Sequence, residues 1–290
     1  MLQPVMPLLF VVLWSTGFLG AKFGLPHAEP LTFLSIRYTL VVLLMGAVVW
    51  LTRAPWPRDW RQAAHIAVTG LLVHAGYLGG VFTAIHQGLP AGVTALVVGM
   101  QPLLTALGAG WLLGERVSRW QWLGLLLGFA GVALVVSSRG LSGGGLAEQG
   151  ALAAMLWPAL LALVSITAGT LYQKRFCAGF DLRTGSVIQF LPSLLLTLAL
   201  ASQTETLQVE WSGSFVFALA WLVLVLSLGA ISLLNLLIRN GSAVNVASLF
   251  YLTPPTTALL AWWLFGETLS GLALFGMVVA VLGVWLARKR

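Results

Sequence analysis

Eight polar or aromatic side chains stand within or beside long apolar runs and are the candidates for chemistry in this chain. Arg37 is the only charged residue that falls well inside such a run. A guanidinium at depth in an apolar medium needs a partner or water, and it can hold a carboxylate. The alternative is a structural arginine that bonds backbone carbonyls or extends outward to water. The eight candidates are Trp14, Arg37, His74, Tyr77, Gln101, Trp157, Asn235 and Tyr251.

His74 and Tyr77 are three residues apart, so in a helix they share one face. Gly76, Gly80 and Ala84 form a neighbouring stripe of small residues that suits close helix packing. One face of this helix therefore packs, and the other can meet a cavity, where His74 could titrate near neutral pH. The alternative is that both rings only hydrogen-bond to adjacent helices.

Prolines follow two of the candidates at corresponding places. Gln101 precedes Pro102, and Tyr251 precedes the pair Pro254 and Pro255 by three residues. A proline removes one backbone hydrogen bond and can kink a helix. Two broken helices at matching positions indicate a binding site near the middle of a membrane.

The other candidates rest on weaker signals. Asn235 is a polar group that a later helix could present to a cavity. Trp14 and Trp157 fall deeper in their apolar runs than interfacial tryptophans usually do, so we interpret them as candidate cavity walls. The alternative is that they are lipid-facing bulk.

The elements that position these residues follow from the composition. The chain has 290 residues, of which 59% are hydrophobic and only 8% are charged, against roughly 25% charged in soluble domains. A surface for water cannot be built from so few charges, and apolar runs of about 20 residues predict membrane-spanning helices. We therefore predict an all-α polytopic membrane protein with ten transmembrane helices. Their predicted ranges are 4–24, 31–52, 62–87, 91–113, 119–138, 150–174, 183–202, 213–238, 243–265 and 270–287.

One stretch of the chain occurs twice. Residues 95–134 align without a gap to residues 247–286, an offset of 152, with 15 of the 40 pairs identical. The identical pairs include Pro102 with Pro254, and the glycines 124 and 131 with 276 and 283. The chain therefore divides into two five-helix repeats, residues 1–140 and 141–290, joined by a glycine-rich linker at 139–149. Because five is odd, the second repeat is inserted upside down relative to the first.

The distribution of charge supports this topology. With the N-terminus in the cytoplasm, twelve cations fall on the inner side and only Lys22 and Arg139 on the outer side. The inner cations are Arg53, Arg58, Arg61, Arg116, Arg119, Lys174, Arg175, Arg183, Arg239, Arg288, Lys289 and Arg290. All eight acids fall in loops or at helix ends, so the sequence contains no obvious proton carrier at the midplane. Glu115 and Glu267 recur at the same offset, and we expect structural roles for both at helix ends.

Each five-helix unit has a proline in its fourth helix, a Gly-Glu after that helix and a Gly-x6-Gly-Val motif in its fifth helix. Two such units in tandem resemble the EamA-type transporters of the drug/metabolite transporter superfamily. The resemblance covers the whole chain. It implies cytoplasmic termini in a bacterial inner membrane and secondary export of small polar or zwitterionic metabolites, such as amino acids, by alternating access.

Two other function classes stay open at this stage. A passive channel would favour rings of like residues in an oligomer. A membrane-embedded enzyme is suggested only by residues 140–143, which match the G-x-S-G of rhomboid-type proteases but lie in the linker. We expect no enzyme activity, because the sequence contains no nucleophile–base pair, no H-E-x-x-H and no aspartate-rich diphosphate motif. We expect no cofactor or metal, and Cys177, the only cysteine, excludes a CxxC metal site. A small-molecule substrate and the lipid bilayer are the expected partners. Nucleic acid is not expected, because the net charge of +7 forms no patch with interleaved aromatics. The oligomeric state is left open, and a monomer is compatible with the sequence.

Overall fold

The described part of the chain is helical apart from its connections. A computed structural model describes residues 5–89, 91–137, 149–177, 179–265 and 269–288. We label its helical runs in chain order: α1 (Met6–Gly24), α2 (Pro30–Thr52), α3 (Trp60–His86), α4 (Ala91–Val98 and Gln101–Leu113), α5 (Arg119–Ser137), α6 (Gln149–Phe176), α7 (Leu182–Thr204), α8 (Gly213–Asn240), α9 (Ala243–Ser248 and Thr253–Phe265) and α10 (Gly271–Ala287). The linker, Ser142, Glu267 and the predicted boundary at 140/141 lie outside the described residues.

The helices suit a bilayer. The runs α2 to α8 each contain a segment long and apolar enough to cross a membrane by length and composition, which makes seven such helices in the described residues. Large apolar side chains cover their outer faces: Leu43, Trp111 and Trp263 are 65%, 89% and 73% exposed. An outer surface of this kind is stable only against lipid. The predicted all-helical membrane protein is therefore confirmed, and a crossing by all ten runs stays a prediction.

Irregular turns interrupt the long helices at matching places. A π-helical segment occupies Leu71–Leu78 in α3, and another occupies Leu222–Ala230 in α8, one residue from the 152-residue offset. Helix α4 breaks at residues 99–100, and α9 tightens into a 3₁₀ turn over Leu249–Leu252. Each break directly precedes a segment whose second residue is a proline, Pro102 or Pro254, and the N–H that proline lacks cannot continue the α-helical ladder. The predicted interruption of α4 and α9 is confirmed.

Glycines bring α5 and α10 into backbone contact. A Cβ atom added to Gly276 would lie 2.8 Å from the carbonyl oxygen of Gly131, and Gly283 packs as closely on the backbone of Gly128. Small residues permit such close approach between helices in lipid, where dispersion contacts take over from the hydrophobic effect. The duplicated glycines of the sequence therefore join the two repeat-related helices to each other.

Helices α2 and α7 form a second repeat-related pair, and the loops at their ends interlock. The Glu205 carboxylate accepts hydrogen bonds from the N–H groups of Leu31 and Thr32 at 2.8 and 2.7 Å, which caps the start of α2. At the opposite end, the Thr184 hydroxyl of α7 donates to the carbonyl of Pro55, in the loop after α2, at 3.0 Å. The pair is thus held at both ends.

Caps satisfy the helix ends on the predicted inner side. Ser118 and Gln121 form the expected capping box at the start of α5, with distances of 2.9 and 3.2 Å. Glu115 accepts a hydrogen bond from the N–H of Ala243 at 3.2 Å, which gives it a structural role at the start of α9. Lys174 donates to the carbonyls of Ile238, Arg239 and Gly241 at the end of α8, where a cation also suits the helix dipole.

Candidate functional site

Arg37 lies fully inside the helix bundle. It is 1% exposed, and its Nε–H donates to the Ser227 hydroxyl in the π-helical segment of α8 at 3.0 Å. Its Nη1 has no hydrogen-bond partner. A buried donor left without a partner costs free energy, and more so on a charged group. The Nη1 group of Arg37 thus keeps hydrogen-bonding capacity that the described residues do not use.

The guanidinium faces a cavity built mostly from apolar side chains. The cavity holds about 510 Å³ of empty space including its open mouth. Trp14 and Tyr77, from α1 and α3, form one wall with ring centroids 6.2 Å apart and an interplanar angle of 14°. Its lining comprises Trp14, Gly17, Arg37, Tyr77, Leu78, Val81, Phe82, Ile85, Leu222, Leu226 and Ile231. Three of the eight predicted residues thus meet here.

A second compartment adjoins the same aromatic wall. It holds about 420 Å³ of empty space and lies against the breaks of α4 and α9, with Thr94, Gly99, Phe250, Thr253 and Pro254 in its lining beside Trp14 and Tyr77. The Thr253 hydroxyl is buried and has no hydrogen-bond partner. The sequence interpretation missed Thr253 as a site residue. It is the repeat counterpart of Gln101, so the 152-residue offset could have identified it.

Gln101, Tyr251 and His74 are buried but line neither cavity. The Gln101 amide nitrogen donates to Thr170 at 3.3 Å, while its amide oxygen and the Tyr251 hydroxyl have no hydrogen-bond partner. His74 stacks on Phe190 with centroids 3.9 Å apart, and neither ring nitrogen is hydrogen-bonded. These three groups are therefore buried in the helix bundle without lining either cavity.

Asn235 is occupied by other side chains. It accepts a hydrogen bond from Gln173 at 2.9 Å and donates to Gln189 at 3.4 Å, so it joins α6, α7 and α8. The sequence suggested neither partner, because both lie on other helices. In this conformation Asn235 helps to hold the three helices together and does not contact either cavity.

Trp157, the predicted cavity wall in α6, lines neither of the two cavities. Its side chain is 67% exposed on the outer face of α6, whereas Trp14 is 5% exposed. The opposite side of α6 packs against α3, where the carbonyl of Pro158 approaches Gly80 too closely for a side chain. Trp157 therefore turns toward lipid and cannot form a wall of either cavity.

The acids that the structure describes lie outside the helices. Asp59 and Asp181 cap α3 and α7, and Glu29 precedes α2. Hydrogen bonds from Arg183 hold the pKa of Asp181 below its ordinary value, and hydrogen bonds from Thr206 lower the pKa of Glu29. Both groups stay ionised at neutral pH, and neither lines either of the two cavities. Within the described residues, Arg37 has no carboxylate partner in the helix bundle.

Broken apolar helices around an internal cavity, with Arg37 buried beside it, are typical of a polytopic membrane transporter. The comparisons with known proteins assign the family. The EamA-like transporter family matches the chain twice, over residues 4–137 and 153–288. This protein belongs to that family, which consists of transporters and not of enzymes.

Several relatives match almost the whole chain. The chain is 29% identical to the "Uncharacterized inner membrane transporter YedA" of Escherichia coli K12, covering 98% of this chain and 93% of the relative. It is 30% identical to a "Probable amino-acid metabolite efflux pump" of Salmonella typhimurium, covering 96% and 92%. A solved structure described as "Crystal structure of protein" has a TM-score of 0.81 at 22% identity, covering 98% and 95%, and shares the fold. The chain is an integral membrane protein, like its inner-membrane relative.

Proposed function

We propose that this protein is a secondary transporter that exports small polar or zwitterionic metabolites, such as amino acids, by alternating access. One observation carries the proposal: Arg37 is buried beside a cavity with its Nη1 unpartnered and no carboxylate near it in the described residues. A carboxylate of the substrate would supply the missing partner. The relative named as an amino-acid metabolite efflux pump supports the same substrate class.

The topology of the proposal is ten transmembrane helices in two inverted five-helix repeats, 1–140 and 141–290, with both termini in the cytoplasm. The matching π segments, the matching breaks, and the α2–α7 and α5–α10 pairs support it. Under this topology the loops around Glu29 and Glu205 lie outside. Helices α2 and α8 begin on that side, and Arg37 lies two turns from the start of α2. The first cavity then lies in the outer half of the bundle.

The candidate residues take two roles in this proposal. Trp14, Arg37 and Tyr77 hold the substrate in the conformation described, and Thr253 joins them from the second compartment. The remaining polar candidates would meet the substrate when the inner half opens, since most of their hydrogen-bonding groups have no partner or bond to side chains of other helices. These inner groups are His74, Gln101, Asn235 and Tyr251.

Counterflow in proteoliposomes tests the proposal. Purified protein would be reconstituted with a high internal concentration of one unlabelled compound, and uptake of the labelled compound would be followed for a panel of amino acids, sugars and cations. A carrier exchanges labelled for unlabelled substrate, so we expect transient accumulation of at least one amino acid. Protein-free vesicles are the control. Absence of exchange for the whole panel, or simple equilibration without overshoot, would contradict the proposal and favour a channel.

A further inference from the structure

We infer that the cavity recognises its substrate as an apolar monocarboxylate and that an ammonium group contributes no charge contact to binding. The inference rests on the proposed function and narrows its substrate class. The ligands it admits are carboxylic acids with an aliphatic or aromatic body, with or without an amino group. A zwitterionic amino acid is then one member of the class and not its definition.

The positive charge of the cavity is uncompensated. Arg37 donates from Nε to a neutral hydroxyl, that of Ser227, and its Nη1 has no acceptor. A guanidinium pairs best with a planar carboxylate, through two parallel N–H···O bonds. The six acids of the described residues, Glu29, Asp59, Glu115, Asp181, Glu205 and Glu210, all lie in loops or next to helix ends. A carboxylate ligand therefore supplies the missing anion.

Apart from Arg37, the lining contains no charged side chain that could pair with a second charge of the ligand. Beyond Arg37 the cavity is walled by aliphatic and aromatic side chains, among them Val81, Phe82 and Leu226. A second carboxylate placed there would lose its water without gaining a partner, which is strongly unfavourable. An ammonium group finds only the Tyr77 hydroxyl and the faces of Trp14 and Tyr77, which are weak partners for a cation compared with a carboxylate. The cavity thus tolerates an amino group and does not require it.

A series of ligands of similar size separates the two charges. Leucine carries both charges, isocaproate lacks the ammonium group, isoamylamine lacks the carboxylate, and glutarate carries two carboxylates. Binding of each to purified protein would be measured by isothermal titration calorimetry in detergent. We expect the dissociation constant of isocaproate to lie within about threefold of that of leucine, because Arg37 contacts only the carboxylate. We expect isoamylamine and glutarate to bind at least roughly tenfold more weakly, as loss of a charged hydrogen bond or burial of an unpaired charge requires.

Variants assign the effect to Arg37. Arg37→Gln should weaken leucine and isocaproate together by roughly ten- to a hundredfold. Arg183→Gln is the matched control, because it removes one arginine charge at the helix end, where Arg183 pairs with Asp181. It should leave both affinities unchanged. The ligand series on the unaltered protein decides the matter even where Arg37→Gln fails to fold.

The outcomes separate this inference from the proposed function. Three results would each overturn the inference: isocaproate binds at least tenfold more weakly than leucine, isoamylamine binds as tightly as leucine, or neither acid binds. Counterflow of amino acids would survive the first two results, so the transporter proposal would stand while its substrate class changed. Absence of counterflow together with tight isocaproate binding would instead keep the inference as a binding site and overturn transport.

Discussion

The contact between α5 and α10 predicts a large difference between two glycine substitutions. A Cβ atom at Gly131 would lie 2.7 Å from both the Cα of Ala280 and the carbonyl oxygen of Gly276. Both are backbone atoms of the facing helix, so no side-chain rotation can relieve the overlap. Gly46, in the middle of α2, has nothing within 4 Å of the same atom. Gly131→Ala is therefore the perturbation, and Gly46→Ala is its matched control.

The magnitude follows from two opposing terms. Replacing glycine by alanine inside a helix favours folding by up to about 1 kcal/mol, and this gain applies to both variants. Overpacking costs about 1–3 kcal/mol and applies to Gly131 alone. Because the first term cancels in the comparison, we expect Gly131→Ala to have a free energy of unfolding about 1–3 kcal/mol below that of Gly46→Ala.

Titration with sodium dodecyl sulfate in mixed micelles measures this difference. The denaturation midpoint of Gly131→Ala should fall below that of the unaltered protein, and that of Gly46→Ala should stay level or rise. If the two variants unfold at the same detergent fraction, α5 and α10 do not touch through their backbones. The packing that joins the two repeats would then be wrong.

Four further predictions test topology, coupling, the cavity wall and a helix cap. In a Cys177→Ala background, single cysteines would replace Arg58, Arg116 and Arg183 on the inner side and Gln208 in the α7–α8 loop on the outer side. The inner cysteines should resist impermeant thiol reagents added to intact cells, whereas the one at position 208 should react. External labelling of the inner positions would overturn the inverted topology. Transport should persist when the pH gradient is collapsed, since no described acid lies in the bundle, and strict proton antiport that survives in His74→Gln would show an unrecognised coupling group. Trp14→Leu should reduce counterflow roughly tenfold or more, because it opens the shared wall of both cavities. The control variant Trp157→Leu should have no effect on counterflow. Equal effects of the two variants would contradict the opposite orientations of the two rings. Asp181→Ala should lower the free energy of unfolding by about 0.5–2 kcal/mol at neutral pH through loss of the α7 cap. The pKa of Asp181 is lowered in the folded state, so its contribution to the free energy of unfolding is fully present above the ordinary carboxyl pKa. That contribution disappears as the pH falls through the lowered pKa. If the loss of stability in Asp181→Ala stays constant in acid, the carboxylate is not responsible for it.

Signals local to the sequence predicted most of the architecture. The apolar runs predicted the helices to within a few residues, because the length of a spanning helix is set by the bilayer. The prolines of α4 and α9 predicted the interruptions, because a missing N–H acts on its own helix. The duplicated glycines indicated that α5 and α10 are related, although not that they touch.

The orientation of side chains around each helix was decided by tertiary packing. Trp14 and Trp157 occur in similar apolar runs, yet one lines both cavities and the other faces lipid. In a membrane an apolar helix has no water-facing side, so hydrophobic periodicity does not reveal which face is buried. The partner of Arg37 is Ser227, 190 residues away, and it is brought there only by the packing of α2 against α8. The sequence alone determined that a buried arginine needs a partner. The fold decided that a neutral hydroxyl accepts one of its hydrogen bonds and that the guanidinium lies beside an apolar cavity.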